Sequence, residues 1–142
     1  MKTSLRAIVL SLALTLGLGV TEVALGNSLI ELTPNLPEDP LAIAGTAVGD
    51  SNKNCGDTPS EPQHEIQMTQ QFPYLRFILQ SEGEPVLLID GPGGRFCVLA
   101  DNYSGKSPEI SGLWDAGNYY IYVGNRNPGN NSYTLKITEK PD

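Results

Sequence analysis

Two cysteines, one histidine and a scatter of acidic turn residues are the groups in this 142-residue chain that could do chemistry. Cys55 and Cys97 make an even pair, as expected for a single cross-link formed in an oxidising compartment. A disulfide closing a loop of that length stabilises a fold by about 4 kcal/mol in the chain-entropy account. It also removes both thiols as nucleophiles. His64 is the only histidine, so any Ser-His-Asp or Cys-His catalysis would have to use it. It alternates with Ile66 and Met68 in a strand-like run, which is the setting of a structural residue.

Oxygen ligands are the next candidates, and calcium is the cofactor they would suit. Asp101 with Asn102, helped by Asp90 across a hairpin, is the expected metal site. Asp50, Asn52, Asn54 and Glu61 also fall at positions one, three, five and twelve of an EF-hand-type loop. There the glycine position is Cys55, neither flank is helical, and Pro59 and Pro62 stiffen the second half, so that match reads as coincidence. Glu82 and Glu84 sit in a polar turn facing water and do not read as a glycosidase pair. Gly91-Pro92-Gly93-Gly94 precedes no helix and carries no Gly-Lys-Ser/Thr, so it is a turn and no phosphate cradle. Trp114, Tyr120 and Tyr122 form the candidate binding surface. Exposed aromatics on a sheet face can stack on sugar rings or receive an extended peptide.

These residues need positioning, and the chain centres on Pro85 to Ala100. Val86 to Ile89 is a short apolar run that suits a buried strand. Gly91 to Gly94 turns the chain, and Arg95 to Leu99 returns with Phe96 and Val98 on one face and Cys97 and Leu99 on the other. This is a β-hairpin signature, and we expect the hairpin at the centre of a β-sandwich. Strands are further expected over Leu41–Val48, Gln63–Gln70, Pro73–Gln80, Glu109–Trp114, Asn118–Gly124 and Ser132–Thr138. Turn clusters rich in Gly, Pro, Asn and Asp separate them. About eight short strands with no helical periodicity predict an all-β, antiparallel sandwich of jelly-roll type.

The first 26 residues read differently. Lys2 and Arg6 precede an uncharged apolar stretch from Ala7 to Val20, and Ala24-Leu25-Gly26 supplies small residues for cleavage. That pattern is a secretory signal peptide over residues 1–26. The apolar stretch is too short to span a bilayer comfortably, and no later run is long enough to cross one. Residues 27–40, with Pro34, Pro37 and Pro40, read as a linker or N-terminal arm. The formal net charge is −7, and losing Lys2, Arg6 and Glu22 makes the remainder more acidic still. An acidic surface argues against nucleic acid and anionic membranes as partners.

The second half of the chain resembles the bacterial pre-peptidase C-terminal (PPC) type of domain. The residues that carry the likeness are the hairpin strand PVLLIDGPGGRFC, the loop ADNYSGKSPEI, Gly117-Asn118-Tyr119 and Tyr133-Thr134-Leu135. The resemblance covers roughly Leu41 to Glu139, so residues 41–140 are expected to be one domain. It implies a small jelly-roll sandwich on a secreted bacterial protein, with Cys55 and Cys97 where a cysteine-bearing variety has its pair. Such relatives often carry two adjacent aspartates soon after the second cysteine. Here Val98-Leu99-Ala100 intervene and the pair becomes Asp101-Asn102.

The expected function is therefore a secreted or periplasmic, non-catalytic binding or accessory module, calcium-stabilised through the Asp101 loop. Its partner would be an extracellular or envelope protein or polysaccharide. The alternatives are a small extracytoplasmic hydrolase or protease inhibitor, and a structural cell-envelope protein.

Overall fold

The computed structural model describes residues 29–48, 55, 58–101, 104–127 and 129–142. Nine strands appear: β1 (Leu29–Leu32), β2 (Leu41–Val48), β3 (His64–Met68), β4 (Phe72–Ser81), β5 (Pro85–Gly91), β6 (Gly94–Leu99), β7 (Glu109–Trp114), β8 (Gly117–Asn125) and β9 (Asn130–Thr138). They form a five-stranded sheet in the order β1-β3-β8-β5-β6 and a four-stranded sheet in the order β2-β9-β4-β7. Every pairing is antiparallel except β1 with β3. No helix of the described residues is long and apolar enough to cross a membrane. The signal peptide expected over residues 1–26 lies outside the described residues.

Alternation places the core. His64, Ile66 and Met68 on β3 point inward, as do Leu75, Phe77 and Leu79 on β4. They meet Tyr119, Ile121 and Val123 of β8 and Tyr133, Leu135 and Ile137 of β9 in one apolar layer between the sheets. Phe72 joins this layer although it is three residues from Leu75. A register irregularity between those two residues restores the parity, and Pro73, which has no N–H to donate, sits inside it.

β5 is buried on both faces. Leu87 and Ile89 face the main core, while Val86 and Leu88 pack beneath Cys55 and the half-buried Tyr122 on the outer face. The continuous apolar run is thus explained by a second cover, which the Cys55–Cys97 disulfide holds in place with a Cα–Cα distance of 5.7 Å.

Two expectations are corrected. The stretch 27–40, read as a linker or arm, contains β1. Four residues are too few to show alternation, and the strand owes its order to parallel pairing with β3. The hairpin is also less central than expected. β5 is interior to its sheet, but β6 is the outermost strand, and most of its residues are exposed.

Candidate functional site

β6 and β7 are outermost strands of different sheets on the same side of the sandwich, joined by residues 100–108. Their side chains meet across the gap. The Phe96 ring lies edge-on to Trp114 at 5.7 Å, and Trp114 in turn contacts Phe77 at 4.8 Å and Tyr119 at 5.5 Å. Edge-to-face pairs of this kind add to the stabilisation from apolar burial. The Trp114 indole N–H donates to the Leu75 carbonyl at 3.0 Å. The Tyr119 hydroxyl donates to the Asp115 carbonyl at 2.7 Å. Burial, with the nearby Asp115 carboxylate second, pushes the Tyr119 phenol up from its ordinary pKa. The Tyr119 ring lies so close over Gly91 that a Cβ there would stand 2.2 Å from it.

Two clefts run along this margin. One, of about 650 Å³, is lined by Val98, Leu99, Asp101, Lys106, Glu109 and Ser111, among others. The other, of about 130 Å³, lies among Phe96, Ile110, Gly112, Leu113, Trp114 and Tyr119. Gly112 has a φ of 153°, and no atom lies within 4 Å of where its Cβ would be, so the wall opens there. Leu113 is 60 % exposed, Leu99 41 % and Phe96 37 %. Three of the five large hydrophobic side chains exposed among the described residues therefore lie on these two strands, the others being Leu29 and Tyr120.

The sequence-predicted residues divide between this margin and other places. Trp114 is 4 % exposed and anchors the core side of the groove, so it is no surface platform. Counting by twos from Ile110 through Gly112 would have placed it inward. Tyr120 lies on the outer face of the five-stranded sheet, aligned with Glu65 on one side and Asp90 on the other. Tyr122 is half-buried against Cys55, Val86 and Leu88. Burial, followed by the Asp90 carboxylate, raises its pKa. The structure thus separates Trp114 from Tyr120 and Tyr122, which share the outer face of β8.

The metal set is separated too. Asp90 is aligned with Arg95 and forms an ion pair with it at 2.9 Å. Asp101 follows the far end of β6, beyond the Val86–Leu99 pair. Six residues of near-extended chain put the two aspartates about 20 Å apart along the hairpin, so Asp90 cannot join Asp101 around one ion. Asp101 accepts a hydrogen bond from the Ser104 hydroxyl at 2.6 Å. Asn102 lies outside the described residues, as do Asp50, Asn52 and Asn54. Among the described residues no three His, Cys, Asp or Glu side chains come together as a metal site.

His64 is buried, and its Nε2 lies 2.7 Å from the Tyr133 hydroxyl. Its Nδ1 has no hydrogen-bond partner. Burial lowers the imidazole pKa and raises that of Tyr133 to about 12.

The two-layer arrangement is that of a PPC-like β-sandwich. Among solved structures, the chain is similar to the pre-peptidase C-terminal domain of collagenase from Bacillus anthracis, with a TM-score of 0.51. That likeness covers 80 % of this chain and 97 % of that one at 13 % sequence identity, so it speaks to fold. An uncharacterized protein of Synechococcus elongatus (strain ATCC 33912 / PCC 7942 / FACHB-805) is 34 % identical over 131 residues, which span 89 % of this chain and 92 % of that protein. The chain belongs to the family of that protein. No protein-family model matches it.

Proposed function

We propose that the protein is an exported, non-catalytic binding module whose working surface is the β6/β7 margin. One observation carries this reading: exposed Phe96 and Leu113, on two outermost strands, line the same cleft. Exposed apolar surface grouped in this way marks interaction sites. The chemistry of the remaining groups agrees. The only histidine is buried against Tyr133, and both cysteines are spent in the disulfide, so none of them offers a solvent-facing base or nucleophile. The disulfide and the apolar leader of residues 1–26 support a periplasmic or extracellular setting. Calcium belongs to this reading only at the Asp101 loop, where a chelator-sensitive melting temperature would reveal it.

The test is a binding assay of the exported protein against envelope proteins and polysaccharides, alongside a Phe96→Ser/Leu113→Ser variant. The reading expects the wild type to retain a partner and the variant to lose it by about tenfold or more. A variant that binds as well as the wild type would overturn the choice of surface. Turnover of a substrate by the wild type would overturn the non-catalytic reading.

A further inference from the structure

We infer that the β6/β7 groove receives an extended, cationic peptide segment, added to the five-stranded sheet as a strand beside β6. This rests on the reading of the margin as the binding surface, and goes on to name what binds there.

The backbone comes first. β6 pairs with β5 over six consecutive residue pairs, Val86–Leu99 through Gly91–Gly94, with no shift of register. Among the described residues it pairs with no strand on its other side. Its outward N–H and C=O groups form a regular row, the template that strand addition requires. β7 is the poorer template, because its ladder with β4 is irregular, shifting register between Phe72 and Leu75.

The side chains come second. Native sheets usually blunt a free edge with lysines, prolines or inward-pointing charges. Here the inward residues of β6 are Phe96 and Val98, the first 37 % exposed. The cleft of about 130 Å³ beside Phe96, Ile110 and Trp114 is of a size to take one apolar side chain from an added strand. The opening at Gly112 keeps it unfilled from below.

Charge selects the occupant. Asp101, Glu109 and Asp115 line the two clefts with Lys106, and Arg76 pairs with Glu109 at 3.1 Å, so three acidic groups face two basic ones and the margin keeps a negative excess. The chain as a whole carries −7. A second copy would bring the same negative field to this margin, whereas a segment alternating Lys or Arg with apolar residues matches both the field and the pocket.

The experiment is selection of a displayed random twelve-residue peptide library on the exported, disulfide-bonded protein. A synthetic copy of the best binder and a version N-methylated at alternate residues are then compared. The expected result is enrichment of peptides that alternate basic and apolar residues. Their affinity should fall about tenfold or more on N-methylation, on Phe96→Ser, and on raising salt from about 50 to 500 mM. Acidic or absent consensus peptides, indifference to N-methylation, or capture of a polysaccharide in place of peptides would overturn the proposal. Self-association lost in Leu113→Glu would also overturn it, in favour of a second copy. Peptide binding that survives Phe96→Ser but is lost in Tyr120→Ser would overturn the groove while leaving the protein a binding module. Loss of binding to every class of ligand would overturn both.

Discussion

The two lateral margins of the sandwich are alike in topology and differ in what finishes them. At each, a short link crosses from one sheet to the other: residues 33–40 between β1 and β2, and residues 100–108 between β6 and β7. The first link is laced to the end of β9. The Glu139 carboxylate accepts the backbone N–H groups of Asn35 at 3.1 Å and Leu36 at 2.8 Å. Asp39 accepts the Glu139 N–H at 3.3 Å and bonds the Thr138 hydroxyl. Asn35 takes a positive φ of 69° to make this turn, a conformation asparagine tolerates better than most residues. The second margin is pinned by the disulfide on the outer face of β6, and its apolar groups stay in contact with water. The contrast teaches that hydrogen bonds to the end of β9 secure one margin, whereas a covalent cross-link on the outer face secures the other.

Four measurements would break or sharpen that contrast. The largest effect belongs to the disulfide. Cys55→Ser with Cys97→Ser, or reduction of the wild type, is expected to cost about 4 kcal/mol in urea unfolding. Amide exchange should then quicken in β6 before β1. Equal loss of protection at both margins would show that the pin is not local.

Next is Glu139→Ala, which strips the arm of two charge-assisted bonds. The expected cost is about 2 kcal/mol, with faster exchange of Asn35 and Leu36. An unchanged midpoint would mean the arm is held by its other contacts, Asp39 on the end of β9 and β1 on β3, without the Glu139 carboxylate.

The buried pair His64–Tyr133 gives a pH signature. The folded-state pKa of His64 is lowered below its ordinary 6.5. Its stabilising contribution is therefore complete above that pH and is lost as pH falls towards the folded value. The slope for a single proton is at most about 1.4 kcal/mol per pH unit. Tyr133 is raised from 10.0 to about 12, so its contribution is present below pH 10 and is lost as pH rises through that range. Tyr133→Phe should weaken the alkaline limb in a melt series from pH 4 to pH 12, leaving the part owed to Tyr119 and Tyr122, whose phenols are also raised. An acid limb that survives His64→Gln would place its origin in the carboxylates instead.

The smallest stability effect is expected of Phe96→Ser, about 1 kcal/mol or less, because the ring is only partly covered. A much larger loss in thermal unfolding would make Phe96 a core residue and undo the view of this margin as a free surface.

Most of the sandwich was legible in the sequence because its strands alternate cleanly. His64-x-Ile66-x-Met68 and Tyr133-x-Leu135-x-Ile137 each declare an inner face without help from any partner. β1 was not legible, since four residues carry no period and only β3 gives them a ladder. The site was harder to read for a different reason. That β6 faces β7 depends on which strands end up outermost, and strand order is a property of the whole chain. The same ignorance placed Asp90 with Asp101, because adjacency across a hairpin says nothing about which end of it a residue occupies. The cross-link of Cys55 to Cys97 needed no topology, because two cysteines allow a single intramolecular pairing.

The position of the last two strands has a consequence for how the molecule comes into being. β8 lies between β3 and β5, and β9 lies between β2 and β4. Neither layer can be completed until β8 and β9, one in each sheet, are present to fill its middle. A growing or threading chain would thus stay unlocked until β8 and β9 are free, and would then assemble both layers together, at the slow pace that distant pairings impose.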